Sequence, residues 1–141
     1  MDWADQLSNI NYWAVLLATL SSFAIGATWY AWGVFGKQWV KLVGLTKADV
    51  EKPKGMEKTY LLTAVGSFIA ATTLAVLLRA TSTEGVFDGL VFGAVLGIAF
   101  RLTSHIMHNG FARVDYKLSL IDGFHDTVQM AVMGAILGGL N

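Results

Sequence analysis

The sequence has no cysteine. That removes disulfide scaffolds, thiolate nucleophiles and sulfur-ligated zinc or iron–sulfur sites at once. Charge is scarce as well. Asp, Glu, Lys and Arg make up 14% of the 141 residues, against roughly a quarter in a soluble domain. Ten basic and ten acidic groups cancel, so no basic face is available to hold nucleic acid. Proline occurs once beside fifteen glycines, which fits neither a disordered chain nor collagen. Signatures of catalysis are missing too: there is no Gly-x-Ser-x-Gly elbow, phosphate loop, dinucleotide fingerprint or His-Glu-x-x-His pair. Neither an enzyme activity nor a cofactor is expected.

What the chain does have is apolar sequence, 55% of all residues. It is gathered into four runs: Tyr12 to Phe35, Tyr60 to Leu78, Val86 to Ile106 and Leu118 to Leu140. Each is long enough to cross a hydrocarbon core of about 30 Å as a helix. The runs are too long for barrel strands and lack two-residue alternation, and open sheet edges cannot face lipid. The expected fold is all-α, a four-transmembrane-helix bundle, with residues 1–141 as one integral-membrane domain. Asp2 and Asp5 stand where a signal peptide would be basic, and the first run is too long for one.

Orientation follows from the basic residues. Lys37, Lys41, Lys47, Lys52, Lys54 and Lys58 fall between runs one and two, and Arg101, Arg113 and Lys117 lie around the end of run three. Only Arg79 falls on the other side. Cytoplasmic loops carry the excess of Lys and Arg, so both termini are expected outside, in a cytoplasmic (inner) membrane of bacterial type. Trp3, Tyr12 and Trp13 then mark the outer boundary, and Trp29, Tyr30, Trp32 and Trp39 the inner one. Thr46 with Asp49 predicts a short surface helix in the first cytoplasmic loop, supported by Lys47–Glu51 and ended by Pro53. Thr81-Ser82-Thr83-Glu84 matches the capping box and predicts the start of span three.

Several residues together resemble a known family. They are Asn11, Gly26, Trp29-Tyr30, Phe35-Gly36, Trp39, Gly44-Leu45-Thr46, Met56, His125 and Gly134-Ala135-Ile136-Leu137-Gly138. The chain is similar, over nearly its whole length, to the small four-helix bacterial membrane family called domain of unknown function 1761. The resemblance implies fold and location and brings no activity. It also implies Asn early in span four, where this chain carries Asp122.

Two sets of residues remain. Gly85, Gly89, Gly93 and Gly97 recur every four positions, and Gly134 and Gly138 repeat the spacing in span four. Small residues so spaced let helices approach closely, a glycine zipper that serves either the packing of one subunit or an interface between subunits. The second set is ionisable. Arg101, His105 and His108 share an arc of about 60° on span three, while Asp122, His125, Asp126 and Gln129 lie within about 100° on span four. Arg101 lies about 7–8 Å above the inner end of its span, and Asp122 and Asp126 about 6 and 12 Å above theirs, so they meet at one depth.

Ionisable groups in lipid face inward and pair. The cluster therefore reads as a structural Arg–Asp lock, as a path for a proton, ion or small solute, or as an anion site around Arg101. His105, His108 and His125 with a carboxylate also make a nitrogen–oxygen metal site conceivable; no ligand motif accompanies them, and no metal is assigned. The leading expectation is passage of a small solute or ion, proton-coupled or passive, through a homo-oligomer in the lipid bilayer. The rival is an accessory or structural subunit of a larger membrane complex.

Overall fold

The computed structural model describes residues 2–140, and among these every regular element is helical. Helix α1 (Trp3–Ser8) is capped by Asp2 and α2 (Tyr12–Trp29) by Asn11. A π-helical turn, Trp32–Gly36, leads into α3 (Lys37–Val43), followed by α4 (Lys47–Glu51) and α5 (Glu57–Ala80). Helix α6 (Val86–Leu96) continues through a second π-helical turn, Gly97–Leu102, into α7 (Thr103–Phe111). Helix α8 (Tyr116–Leu140) completes the fold. The expected external termini, Met1 and Asn141, lie outside the described residues.

Three helical runs are long and apolar enough to cross a membrane: α2, α5 and the continuous Val86–Phe111 stretch. Their outer faces leave Leu20, Leu61, Ile69, Phe87, Val95 and Phe100 exposed. That is the surface hydrocarbon solvates, and it marks a membrane protein. Helix α8 has 25 residues, a sufficient length, but Asp122, His125, Asp126 and Gln129 interrupt its apolar character. It is also the central helix, with α2, α5 and α6 all packed on it. The most polar of the long helices is thus the one most shielded from lipid.

The apolar core lies near the α2 start and the α8 end. Ala14, Val15 and Ala18 of α2 meet Ala71, Leu74, Ala75 and Leu78 of α5 and Met133 and Leu137 of α8. Asn11 fastens that end twice. Its Oδ1 accepts from the amides of Trp13 and Ala14 to cap α2, while its Nδ2 donates to the Leu140 carbonyl at 2.9 Å.

Helix α6 approaches α8 backbone to backbone. A Cβ at Gly89 would overlap the Gly134 carbonyl, one at Gly93 the Met130 carbonyl, and one at Gly97 would come within 2.7 Å of Thr127 Cα. Gly134 and Gly138 return the contact against Gly89 and Gly85. Gly85 has a different requirement: a Cβ there would meet nothing, but φ is +95° and its amide donates to the Gly138 carbonyl at 2.7 Å.

Two helix ends depart from the expectation. Span one does not run to Phe35; α2 stops at Trp29, and Ala31 is extended with ψ 145°. The amides of Val34 and Gly36 then both turn back to the Ala31 carbonyl, at 2.9 and 3.0 Å. Only glycine fits at 36, where a Cβ would overlap the Tyr30 carbonyl. The second departure concerns Thr81–Glu84, which does not cap α6. Gly85 is the N-cap, without a side-chain bond. Thr81 instead donates its hydroxyl to the Leu77 carbonyl at 2.8 Å, and the Thr83 amide donates to Leu78, so the segment terminates α5. The surface helix expected in the long loop forms as α4. There Thr46 and Asp49 exchange both bonds of a capping box, and Lys47 and Glu51 pair at 3.3 Å.

Candidate functional site

The polar groups gather at the opposite end of the bundle from the apolar core, around one carboxylate. Asp126, on α8, has a side chain 13% exposed and holds three basic partners. Arg101 Nη2 lies 2.7 Å from its Oδ2, His105 Nε2 3.1 Å from the same oxygen, and His125 Nδ1 3.0 Å from Oδ1. A carboxylate oxygen only accepts, so each ring nitrogen facing it carries a hydrogen. This fixes His105 as the Nε2–H form and His125 as the Nδ1–H form when neutral.

The backbone explains how Arg101 and His105 reach Asp126. Glycine at 97 lets α6 lie against Thr127, one residue from Asp126. The π-helical turn over Gly97–Leu102 carries Arg101 in its wider coil, and His105 follows on α7. A π turn inside a long helix re-aims the side chains after it. Gly123 makes the matching space on α8, where a Cβ would collide with Leu102.

His125 is enclosed. Its ring lies against Tyr30 at 5.0 Å and Trp29 at 6.1 Å between centroids. Its Nε2 is shielded from solvent and has no hydrogen-bond partner among the described residues. That atom faces α2 at Gly26, where a Cβ would stand 3.6 Å away.

Asp122 belongs to a separate arrangement, which the sequence reading missed. It does not meet Arg101. Its Oδ1 accepts from the Tyr30 hydroxyl at 2.8 Å and from Trp39 Nε1 at 3.0 Å. Trp29 Nε1 donates beside it to the Ile121 carbonyl at 3.1 Å. The Trp29-Tyr30 and Trp39 aromatics, expected as boundary residues, therefore clasp the broken end of α2 and α3 onto α8. Since only one oxygen of Asp122 is used, an Asn there would offer the same acceptor.

His108 stays outside the cluster and is exposed. It lies three residues beyond His105, about 4.5 Å further along the helix, past the reach of Asp126. Gln129 joins the cluster through a shared cavity rather than a bond. Among the described residues no group of three or more metal-ligand side chains is placed to hold an ion.

That cavity, of about 570 Å³, lies between α5 and the α6–α8 pair. Of these helices α5 and α6 are consecutive in sequence yet touch little, while α5 packs on α8. Arg101, His125, Asp126 and Gln129 form its polar wall. Leu74 and Leu77 of α5, with Leu96 and Met130, form the apolar remainder.

A family model matches residues 13–138, which include every residue of the cluster and of the clasp. The chain belongs to the family described as "Protein of unknown function (DUF1761)". No curated protein and no solved structure matches it. Membership supplies no chemistry, so the functional argument rests on the geometry of Asp126 and the cavity beside it.

Proposed function

We propose that this protein moves a small solute or ion, coupled to protons, across a cytoplasmic membrane of bacterial type as a homo-oligomer. In this reading α8 is the fourth span and both termini are external. The observation that carries it is the cavity of about 570 Å³ with Arg101, His125, Asp126 and Gln129 on its wall. A helix lock needs no solvent-sized space beside it. His105, Asp126 and His125 also form one hydrogen-bonded chain of three titratable groups, running from a partly exposed ring to a buried one. Such intramembrane chains suit proton transfer. One subunit leaves the cavity open along its side.

The experiment is reconstitution into vesicles with a pH-sensitive dye inside. Proton flux should appear under a pH gradient and be lost in His125→Asn while the bundle stays folded. Absent pH-dependent flux, with His125→Asn behaving as wild type, overturns the reading. Orientation has its own test: a cysteine replacing Lys47, on a background without cysteine, should resist labelling from outside intact cells.

A second reading is favoured by a specific observation. All three basic neighbours already engage Asp126, which is also what a purely structural lock between α6–α7 and α8 requires. The protein would then be an accessory subunit of a larger membrane complex.

A further inference from the structure

The cavity has two chemically different ends, and their order along the helices identifies what fits it. On α5 its wall runs from Thr63 to Leu77, a rise of about 21 Å for 14 residues. Arg101, His125 and Asp126 form the charged part of the opposite wall, and Ser67 adds a buried hydroxyl that accepts from Ser22 at 3.0 Å. On the opposite wall the lining runs only from Arg101 back to Leu96 and from His125 to Met130, about 7–8 Å each, and it ends, like Leu74 and Leu77 on α5, without an ionisable group. The length is comparable with the roughly 15 Å depth of one leaflet, half of a core of about 30 Å.

Arg101 is the charged feature of the polar end. One of its nitrogens bonds Asp126, yet its side chain remains 59% exposed. A guanidinium carries five N–H donors in a fixed fork, and Asp126 is the one protein side chain that Arg101 bonds among the described residues. Arg101 also lines the cavity. Both oxygens of Asp126 are covered by N–H groups, so its charge is directed away from an incoming anion. Lipid reaches the cavity from the side, since Thr63, Gly66, Thr73 and Phe100 on its rim are exposed.

We propose that the cleft between α5 and the α6–α8 pair binds a single-chain amphiphilic carboxylate, with its head on the free edge of Arg101 and its tail along Leu74, Leu77, Leu96 and Met130. The volume falls in the range of small-molecule sites, about 300–1,000 Å³. This deepens the proposed function by naming the class of molecule the cavity takes. It rests on the same cavity, but binding is read without flux, so either can fail alone.

The test is equilibrium binding of radiolabelled palmitate to the purified protein in nanodiscs. Hexadecanol and acetate serve as competitors that lack, respectively, the charge and the tail. Palmitate should bind saturably at pH 8, where its head is ionised, and neither competitor should displace it at equal concentration. Arg101→Gln should weaken binding about tenfold or more, the worth of a charge-assisted bond. Gly66→Phe is the second variant: a Cβ at Gly66 meets nothing within 4 Å, its retained fold is checked by circular dichroism, and its ring in the cleft should abolish binding. Full palmitate binding by folded Gly66→Phe overturns the site. Displacement by hexadecanol overturns the anionic head, and displacement by acetate overturns the tail.

Discussion

Gly93→Ala tests whether backbone contact between α6 and α8 holds the bundle together. The added Cβ would overlap the Met130 carbonyl oxygen, lie 2.8 Å from its carbon and 3.1 Å from Ala131 Cα. These are backbone atoms of a helix, and the Met130 carbonyl is tied into the α8 ladder, so no side chain can swing aside. Helix α6 must move away, which also opens the contacts at Gly89 and Gly97. Overpacking of this kind costs about 1–3 kcal/mol. Glycine to alanine in a helix returns up to about 1 kcal/mol of propensity, and a control must remove that term. Gly66→Ala supplies it: the residue is mid-helix in α5, and its Cβ would meet nothing within 4 Å. The propensity gain then cancels between the variants, leaving a difference of about 1–3 kcal/mol from the clash alone. Unfolding in detergent micelles should place Gly93→Ala below wild type or level with it, and Gly66→Ala above. Equal midpoints for the two variants would refute the argument that these glycines are required for helix approach.

Three further outcomes follow from the polar groups. Asp126→Asn and Arg101→Gln should each destabilise by about 1–3 kcal/mol, reduced from a fully buried pair by the exposure of Arg101, and the double variant by less than their sum; additivity in the same unfolding assay would deny the pair. Asp122→Asn should stay near wild type because one acceptor oxygen suffices, whereas Asp122→Leu strands the Tyr30 and Trp39 donors at about 1–3 kcal/mol each, seen as a lowered unfolding midpoint and altered tryptophan emission. Hydrogen bonds from the Thr46 hydroxyl and then its amide hold the Asp49 carboxyl below its ordinary 3.8. A depressed folded value means the cap is fully present above 3.8 and is lost as pH falls through the lower value, so NMR of the loop should show α4 fraying only in that acid window and earlier in Thr46→Ala.

The sequence was most informative where one physical demand acted alone. Apolar length located three spanning helices and the extent of α8, and spacing located the glycines that meet Gly134 and Met130. The pairing of Arg101 with Asp126 was legible because depth and helix face agreed. Asp122 met the same two criteria and pairs elsewhere. Its partners lie in a segment whose break is hidden by apolar residues: Ala31-Trp32-Gly33-Val34-Phe35-Gly36 continues the hydrophobic run through a sharp turn. Gly33 and Gly36 carried the available signal, since glycine weakens a helix interior. The π-helical turn at Gly97–Leu102 was illegible for a different reason. A period of 3.6 residues was assumed throughout, and no residue type announces the extra one.

These two breaks explain why the chemistry sits where it does. A regular α2 reaching Phe35 would carry Trp39, which lies beyond the break at Ala31, away from α8 and take one donor from the Asp122 oxygen. A helix without the wide turn at Gly97–Leu102 would aim Arg101 and His105 differently, away from Asp126. Hydrocarbon tolerates irregular backbone only where the freed groups find protein partners, and here both irregular segments face the polar half of α8. The apolar half, from Met133 to Leu137, packs on uninterrupted stretches of α2 and α5. Regular helix accompanies the core and irregular helix accompanies the ionisable cluster. The departures from ideal helix are therefore the features that allow the bundle to keep Arg101, His105 and His125 within hydrogen-bond reach of Asp126.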